Sequence, residues 1–236
     1  MNTPFATNLR FAESRYEVPR SNRSSETSNR IVTAGILAFS NRGFSNTSTR
    51  DIASLAGVNQ GLITYHFGSK EHLWKVAMDR LFGDFRNGLA DRMHELRDVD
   101  VPTYLRLILR EFVRFSAHSP YVVRLMTEEA KTPTKRLDWL VDRHIKPVYQ
   151  AVTGLLLAGQ QAGALRPGPV VNIYYHFVGS SLVFALPDEV RRVSGADVAS
   201  SAFIDAHADC LLAMLMEKST ARSLKPASPA RKRRID

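Results

Sequence analysis

The stretch Thr47–Trp74, TSTRDIASLAGVNQGLITYHFGSKEHLW, decides how the rest of the chain is read. It sets two short helical periods on either side of one glycine-centred turn. Thr49 offers a hydroxyl side chain at a helix start, where it can accept from the free N–H groups of the first turn. Asp51 follows, then Ile52, Ala53, Leu55 and Ala56, and Gly57 supplies a C-terminal stop. The spacing predicts a next helix from Asn59 to Phe67, about 13 Å long. Ser69 then caps a longer helix that opens Lys70-Glu71-His72-Leu73-Trp74.

Two short helices joined by Gly57-Val58-Asn59 are a helix-turn-helix candidate, in which the second helix enters the major groove of DNA. On a helix of 3.6 residues per turn, Ile63 and Phe67 share the face expected to pack on Ile52 and Leu55. Gln60, Gly61, Thr64 and Tyr65 fall on the other side, an almost uncharged stripe suited to base edges. Gln60 can present a paired donor and acceptor, and Thr64 a hydroxyl and a methyl group. Gly61 allows close approach of the backbone. Tyr65 and His66 can donate to phosphates, and Lys70 adds a cation beside free N–H groups.

Outward from this unit, apolar residues keep helical period and no β-hairpin or βαβ signal appears. Ile31, Ala34, Leu37 and Ala38 make a first amphipathic helix that stops at Asn41-Arg42-Gly43. Beyond Pro102 the pattern predicts helices over 102–117, 120–130, 134–162 with a bend at Pro147, 170–186 and 197–217. The expected organisation is an arm over 1–25, a DNA-binding unit over 26–72, a helical domain over 73–217 and a basic tail over 218–236. The two arms mix Arg, Ser, Asn and Pro without periodicity and are expected to be disordered.

The residues Arg30–Ala77 resemble the DNA-binding domain of the TetR family of transcriptional regulators. The resemblance is carried by the Gly43-Phe44 corner, the Ala56-Gly57-Val58 turn, and the Tyr65-His66-Phe67 and Ser69-Lys70-Glu71 signatures. It implies an all-α, homodimeric regulator, most simply a repressor. An N-terminal three-helix unit would bind a palindromic operator in double-stranded DNA, and a C-terminal ligand-binding and dimerisation domain would hold a small-molecule inducer. By position it places Thr49 and Arg50 on phosphates, Gln60, Gly61 and Thr64 on bases, and Tyr65, His66 and Lys70 on the backbone. At Thr64 the family often has a tyrosine that reaches a phosphate. Threonine cannot span that distance, so Tyr65 is the candidate to take over the contact.

The segments LVFALPDEVRRVSGAD and HADCLLAML look like the end of many members, where the last two helices build the dimer bundle. Ile173, Phe177, Ser180 and Ser181 on one helix, and Phe203, His207 and Leu211 on the other, are the expected interface. For the inducer the expected lining is Phe112, Phe115, Met126, Trp139 and Phe177, with Arg143, His144 and His176 as polar anchors, because pockets combine apolar walls with a few placed polar groups.

Enzyme chemistry finds no foothold. The sequence holds no HExxH, GxSxG, phosphate-binding loop or dinucleotide fingerprint, so no catalytic residue, metal or cofactor is expected. His118, His144 and His176 are the histidines that could converge, without a metal-ligand spacing. Cys210 is the one cysteine, which leaves no internal disulfide and fits a reducing bacterial cytoplasm, near the nucleoid for a DNA-binding protein. The uncharged run Pro167–Pro187 raises the membrane question, but it contains Asn172, His176, Ser180 and Ser181 and reads as a buried helix of a globular domain.

The net charge of +9 is unevenly placed. Residues 1–25 and 26–80 each carry an excess of +2, residues 81–216 balance to 0, and residues 217–236 carry +5. Bulk charge therefore supplies long-range attraction to an anionic partner. It does not mark the recognition stripe.

Overall fold

The computed structural model describes residues 22–95 and 99–217. The 218–236 tail and all but the end of the 1–25 arm lie outside them, and residues 22–25 already belong to a helix. In order, the helices are α1 (Asn22–Arg42), α2 (Thr49–Ala56), α3 (Gln60–Phe67), α4 (Lys70–Glu95), α5 (Val101–His118), α6 (Pro120–Ala130), α7 (Lys135–Leu140), α8 (Lys146–Gln161), α9 (Val170–Gly179), α10 (Leu182–Ala185), α11 (Pro187–Ser194) and α12 (Ser201–Leu215). Among the described residues the β pairing is one isolated bridge, Leu165 with Met216. The chain is all-α.

Two expected helices are subdivided and one expected break is a helix, each for a local reason. The 134–162 helix is α7 and α8 joined by a π-helical turn, Val141–Ile145. Lys146 donates to the carbonyl of Val141, five residues back, and Pro147 has no N–H with which to restore the ordinary ladder. The 170–186 helix breaks after Gly179, where the hydroxyls of Ser180 and Ser181 donate back to the carbonyls of Phe177 and Val178 and compete with the helical pattern. The segment 187–194, expected as a break, is helix α11, with Pro187 in its first turn and Gly195 at φ 74° closing it.

The side chains form two hydrophobic cores. The first holds Ile31 and Phe39 of α1, Ile52 of α2, Ile63 and Phe67 of α3, and Leu73, Trp74 and Met78 of α4. Leu125 of α6 and Leu140 of α7 complete it. The second holds Leu105 and Leu109 of α5, Leu156 of α8, Ile173 and Phe177 of α9, Phe184 of α10, and Ile204 and Leu211 of α12. The packing boundary therefore does not run at residue 72. Leu125 and Leu140 alone bring about 3–6 kcal/mol of transfer free energy to the seam between the head and α6–α7.

Polar contacts follow the same seam. Glu129 of α6 is buried and faces Arg136 of α7 at 3.3 Å. The Arg136 guanidinium lies 4.0 Å from the centre of the Phe44 ring. Burial pushes the Glu129 carboxyl up, against the pull of Arg136. One π-turn residue, His144, is fully buried between Arg86, Asp79, Phe82 and Trp139. Since an arginine only donates, His144 Nδ1 accepts from Arg86 and the ring proton sits on Nε2, facing Asp79 at 3.0 Å. Burial lowers the pKa of His144, consistent with that neutral form. Burial alone would raise the Asp79 carboxyl, but the donors of His144 and Arg143 outweigh it and hold it below the usual range.

No single helix among the described residues is long and apolar enough to cross a membrane.

Candidate nucleic-acid interface

The entry to α2 is fixed by Ser48 rather than by Thr49. Ser48 is extended, at φ −99° and ψ 157°, and its hydroxyl accepts from the Asp51 N–H while the Asp51 carboxylate accepts from the Ser48 N–H at 2.9 Å. This reciprocal capping box satisfies two otherwise free donors. The hydrogen bonds from Ser48 hold the Asp51 carboxyl below its ordinary pKa. Thr49, shifted one place into the helix, accepts from the Gln60 side chain at 3.0 Å and so ties the start of α2 to the start of α3.

The turn between the helices is built on Gly57, which adopts φ 62° and ψ 42°. A β-carbon there would be strained by the left-handed backbone and would lie 3.0 Å from the Arg30 guanidinium. That guanidinium donates to the carbonyls of Ala56 at 2.6 Å and Gly57 at 3.1 Å, clamping the turn to α1. Asn59 then caps α3, its side chain accepting from the Gly61 N–H at 2.8 Å. Gly61 itself has a local constraint, since a β-carbon would sit 3.2 Å from the Asn59 side-chain oxygen.

On α3, Ile63 and Phe67 are buried in the first core and Gln60, Gly61, Leu62, Thr64 and Tyr65 are exposed. Tyr65 is 80% exposed, the most open large side chain of the helix, with the half-buried His66 ring edge-on to it at 5.1 Å. Arg50 is exposed on α2. The expectation that Leu55 packs against α3 is corrected: Leu55 is 60% exposed and lines a cleft between α1 and α2, and Ile52, Ala53 and Ala56 do the packing.

Lys70 is placed differently from a free surface cation. Its ammonium donates to the carbonyls of Phe44 and Thr47, each at 3.0 Å, and lies 4.1 Å from the centre of the Phe44 ring. Thr47 is buried, with its hydroxyl 2.8 Å from the Gly43 carbonyl. Lys70 thus locks the corner that aims α2, with one of its three donors left over for an outside acceptor. Burial, and then Arg136, depress its pKa.

Elsewhere the expected groups are divided. Of the ligand lining, Met126, Trp139, Arg143 and His144 lie along the first core and its seam, with Arg143 and His144 both engaged on Asp79. Phe112 and Phe177 lie in the second core with their ring centres 4.0 Å apart. Phe115 is half-buried on α5 and His176 is exposed on α9. The structure does not gather these eight around one space. The expected interface also needs correcting, because Ile173, Phe177, Ser181 and Leu211 are buried inside the subunit. Ser180, Phe203 and His207 are partly open, with the His207 ring stacked on Phe203 and within 2.9 Å of the Ser180 carbonyl. The apolar residues that α9 and α10 show to solvent are Val171, Tyr175 and Leu182. On α12 they are Ala202, Ala206, Cys210, Ala213 and Met214. Helical arithmetic on Ile173 and Leu211 found an apolar face, but not that it was already covered by α5 and α8.

Among the described residues no group of three or more His, Cys, Asp or Glu side chains could hold a metal ion. His118 hydrogen-bonds the Arg114 carbonyl at the end of α5, far in sequence and surroundings from buried His144 and exposed His176.

Comparison with known proteins agrees with this geometry. Residues 31–76 match the family described as bacterial regulatory proteins, tetR family. The transcriptional repressor NicS of Pseudomonas putida is 26% identical over 174 residues, covering 70% of this chain and 78% of its own. The transcriptional repressor KstR2 of Mycobacterium tuberculosis is 28% identical over 144 residues, covering 59% and 70%. Among solved structures, the hemolysin II transcriptional regulator HlyIIR superposes with a TM-score of 0.62 at 20% identity, over 82% of this chain and 99% of its own. AibR, solved with isovaleryl coenzyme A and operator DNA, superposes with a TM-score of 0.64 at 18% identity, over 80% and 97%.

Proposed function

We propose that the chain, whose residues 31–76 match the tetR family of bacterial regulatory proteins, is a homodimeric repressor which binds a palindromic operator and is released by a small-molecule inducer. The observation that carries the reading is the head itself. Two capped helices, locked by Gly57, Arg30 and Lys70, present Gln60, Gly61, Thr64 and Tyr65 on a face that is left open among the described residues. In a dimer, two such faces enter successive major grooves about 34 Å apart. Arg50, Tyr65, His66 and the remaining donor of Lys70 hold phosphates, with Thr49 orienting Gln60, while Gln60, Gly61 and Thr64 address base edges.

The dimer face we assign is the exposed stripe of Val171, Tyr175 and Leu182, together with Ala202, Ala206 and Met214 of α12. Small residues on α12 allow two copies of that helix to approach closely. The inducer acts through the second core and its border with α4. Because the head shares its core with α6 and α7, these elements move with it as one body, and the motion is taken up at Ser119 between α5 and α6 and at the π turn before α8. An inducer shifts that equilibrium only through unequal affinity for the two arrangements. The isovaleryl coenzyme A seen in AibR makes acyl thioesters a reasonable first class to try.

Fluorescence anisotropy with duplexes taken from the DNA flanking the protein's own gene tests the reading. A sequence-preferring complex at moderate salt is expected, weakened severalfold in Tyr65→Ala on all sequences with a shallower salt slope. Tyr175→Arg is expected to give monomers in sedimentation and to lose operator binding while keeping its helical content. Binding no tighter to any flanking duplex than to random DNA would overturn the proposal.

A further inference from the structure

The recognition helix carries an exposed leucine whose position is more informative than its exposure. Ile63 and Phe67 set the direction of the core. Counting about 100° per residue from them, Tyr65 points directly away, with Gly61 and Leu62 flanking it by about 40° and 60°. Thr64 and Gln60 lie farther round, by about 100° and 140°, and Gln60 is tied to Thr49. Leu62 is 37% exposed, so part of its side chain stands free on the strip that would meet the groove floor. Gly61 beside it has no side chain, and the Asn59 side chain is folded back onto the Gly61 N–H as the cap. Among the described residues no side chain at this end of α3 stands between Leu62 and a partner.

We propose that Leu62 is a specificity-determining residue that reads the 5-methyl group of a thymine, an assignment that rests on α3 being the recognition helix. Leucine has neither donor nor acceptor, so it gains nothing from the polar atoms of the base edges. The thymine methyl is the one apolar group that an unmodified base pair shows in the major groove. A leucine packed on it buries both apolar surfaces, whereas a cytosine at that position carries only a hydrogen at C5 and leaves the leucine unpacked. Leu62 therefore selects an A·T pair at one position of each half-site, beside the positions addressed by Gln60 and Thr64. A lone exposed leucine on an ordinary surface needs no such account. This one lies closer to the outward axis of the helix than either polar reader.

The test removes the methyl group from each side in turn. The best duplex is selected from a random library with the full-length protein, and each thymine is then replaced by deoxyuridine, which lacks only the 5-methyl group. The wild-type protein is expected to bind about fourfold more weakly at one thymine per half-site. Leu62→Ala is expected to bind thymine and deoxyuridine duplexes equally, with an unchanged unfolding midpoint. Methylation of a cytosine placed at that position should restore part of the wild-type affinity and none of the variant's. An equal deoxyuridine penalty in both proteins, or none in the wild type, overturns the role of Leu62 while leaving α3 as the reader. Failure to select any preferred duplex overturns the DNA-binding reading, and this assignment with it.

Discussion

The two hydrophobic cores are built from the same residue types but by different rules. The first is opened by local devices: the Ser48–Asp51 box, the Gly57 turn and the Asn59 cap each fix a backbone direction within a few residues, and Arg30 and Lys70 then tie that unit to backbone between 23 and 27 residues away. The second has caps of its own, Asp100 on α5 and Ser200 on α12, but they do not set how its helices meet. Its helices are placed by α5 lying on α12, with Arg110 and Arg114 meeting Asp209 and Asp205 at the surface, and by apolar faces that come together only in the folded chain. Exposed ion pairs contribute at most about 1 kcal/mol each, so packing decides the second core. The difference shows that the head is specified by sequence near at hand, and the rest by partners far along the chain.

The strongest way to break the contrast is to empty each core in turn. Trp74 is completely buried where α4, Phe44 and Trp139 meet, and Trp74→Ala is expected to cost about 3–5 kcal/mol. Leu156→Ala, equally buried in the second core, should cost about 2–5 kcal/mol. Urea unfolding followed separately by DNA binding and by sedimentation reads the two effects. Trp74→Ala should abolish DNA binding before it affects dimerisation, and Leu156→Ala should do the reverse. Loss of both properties together in either variant would mean that the cores are one cooperative unit.

A smaller change tests whether the head depends on local devices. Gly57→Ala forces a β-carbon into left-handed backbone and toward Arg30, at a cost of roughly 1–2 kcal/mol. Thermal unfolding should show that loss, and operator affinity should fall further than stability alone accounts for, because the turn sets the angle of α3. Unchanged affinity at reduced stability would argue that the angle is held by packing instead.

The seam between the cores gives the smallest and most specific effect. His144 is buried with a lowered pKa, so as the pH falls below about 6.5 the unfolded chain takes up a proton that the folded chain does not. Stability is full above that value and declines as the pH drops toward the folded pKa. His144→Gln should flatten the decline between pH 7 and pH 5 in denaturant titrations. Persistence of the full slope would assign it to other histidines.

How much could be read in advance follows the same division. The helix-turn-helix was legible because its signals lie within four residues of where they act. Its one-residue error, Thr49 for Ser48, arose from two adjacent hydroxyls, and counting from Asp51 as the third helical residue would have chosen Ser48. Helix α11 was legible too and was missed: Pro187, the acids at 188 and 189, the basic residues at 191 and 192 and Gly195 are a full set of start and stop signals. The membership of Leu125 and Leu140 in the head's core was not legible, since no periodicity tells an apolar face which neighbour will cover it. The same blindness put Ile173 and Leu211 on an outer surface.

That shared core has a practical meaning for anyone wishing to rewire such a regulator. A chimera that joins this head to a foreign sensor after residue 72 would leave the face that Leu125 and Leu140 cover bare and the Phe44–Arg136–Glu129 contacts unmade. The transferable module is discontinuous: it takes α1 to α4 together with α6 and α7, with α5 threaded between them. A graft that respects that boundary exchanges specificity, whereas one that follows the linear order exchanges a stable head for an aggregating one.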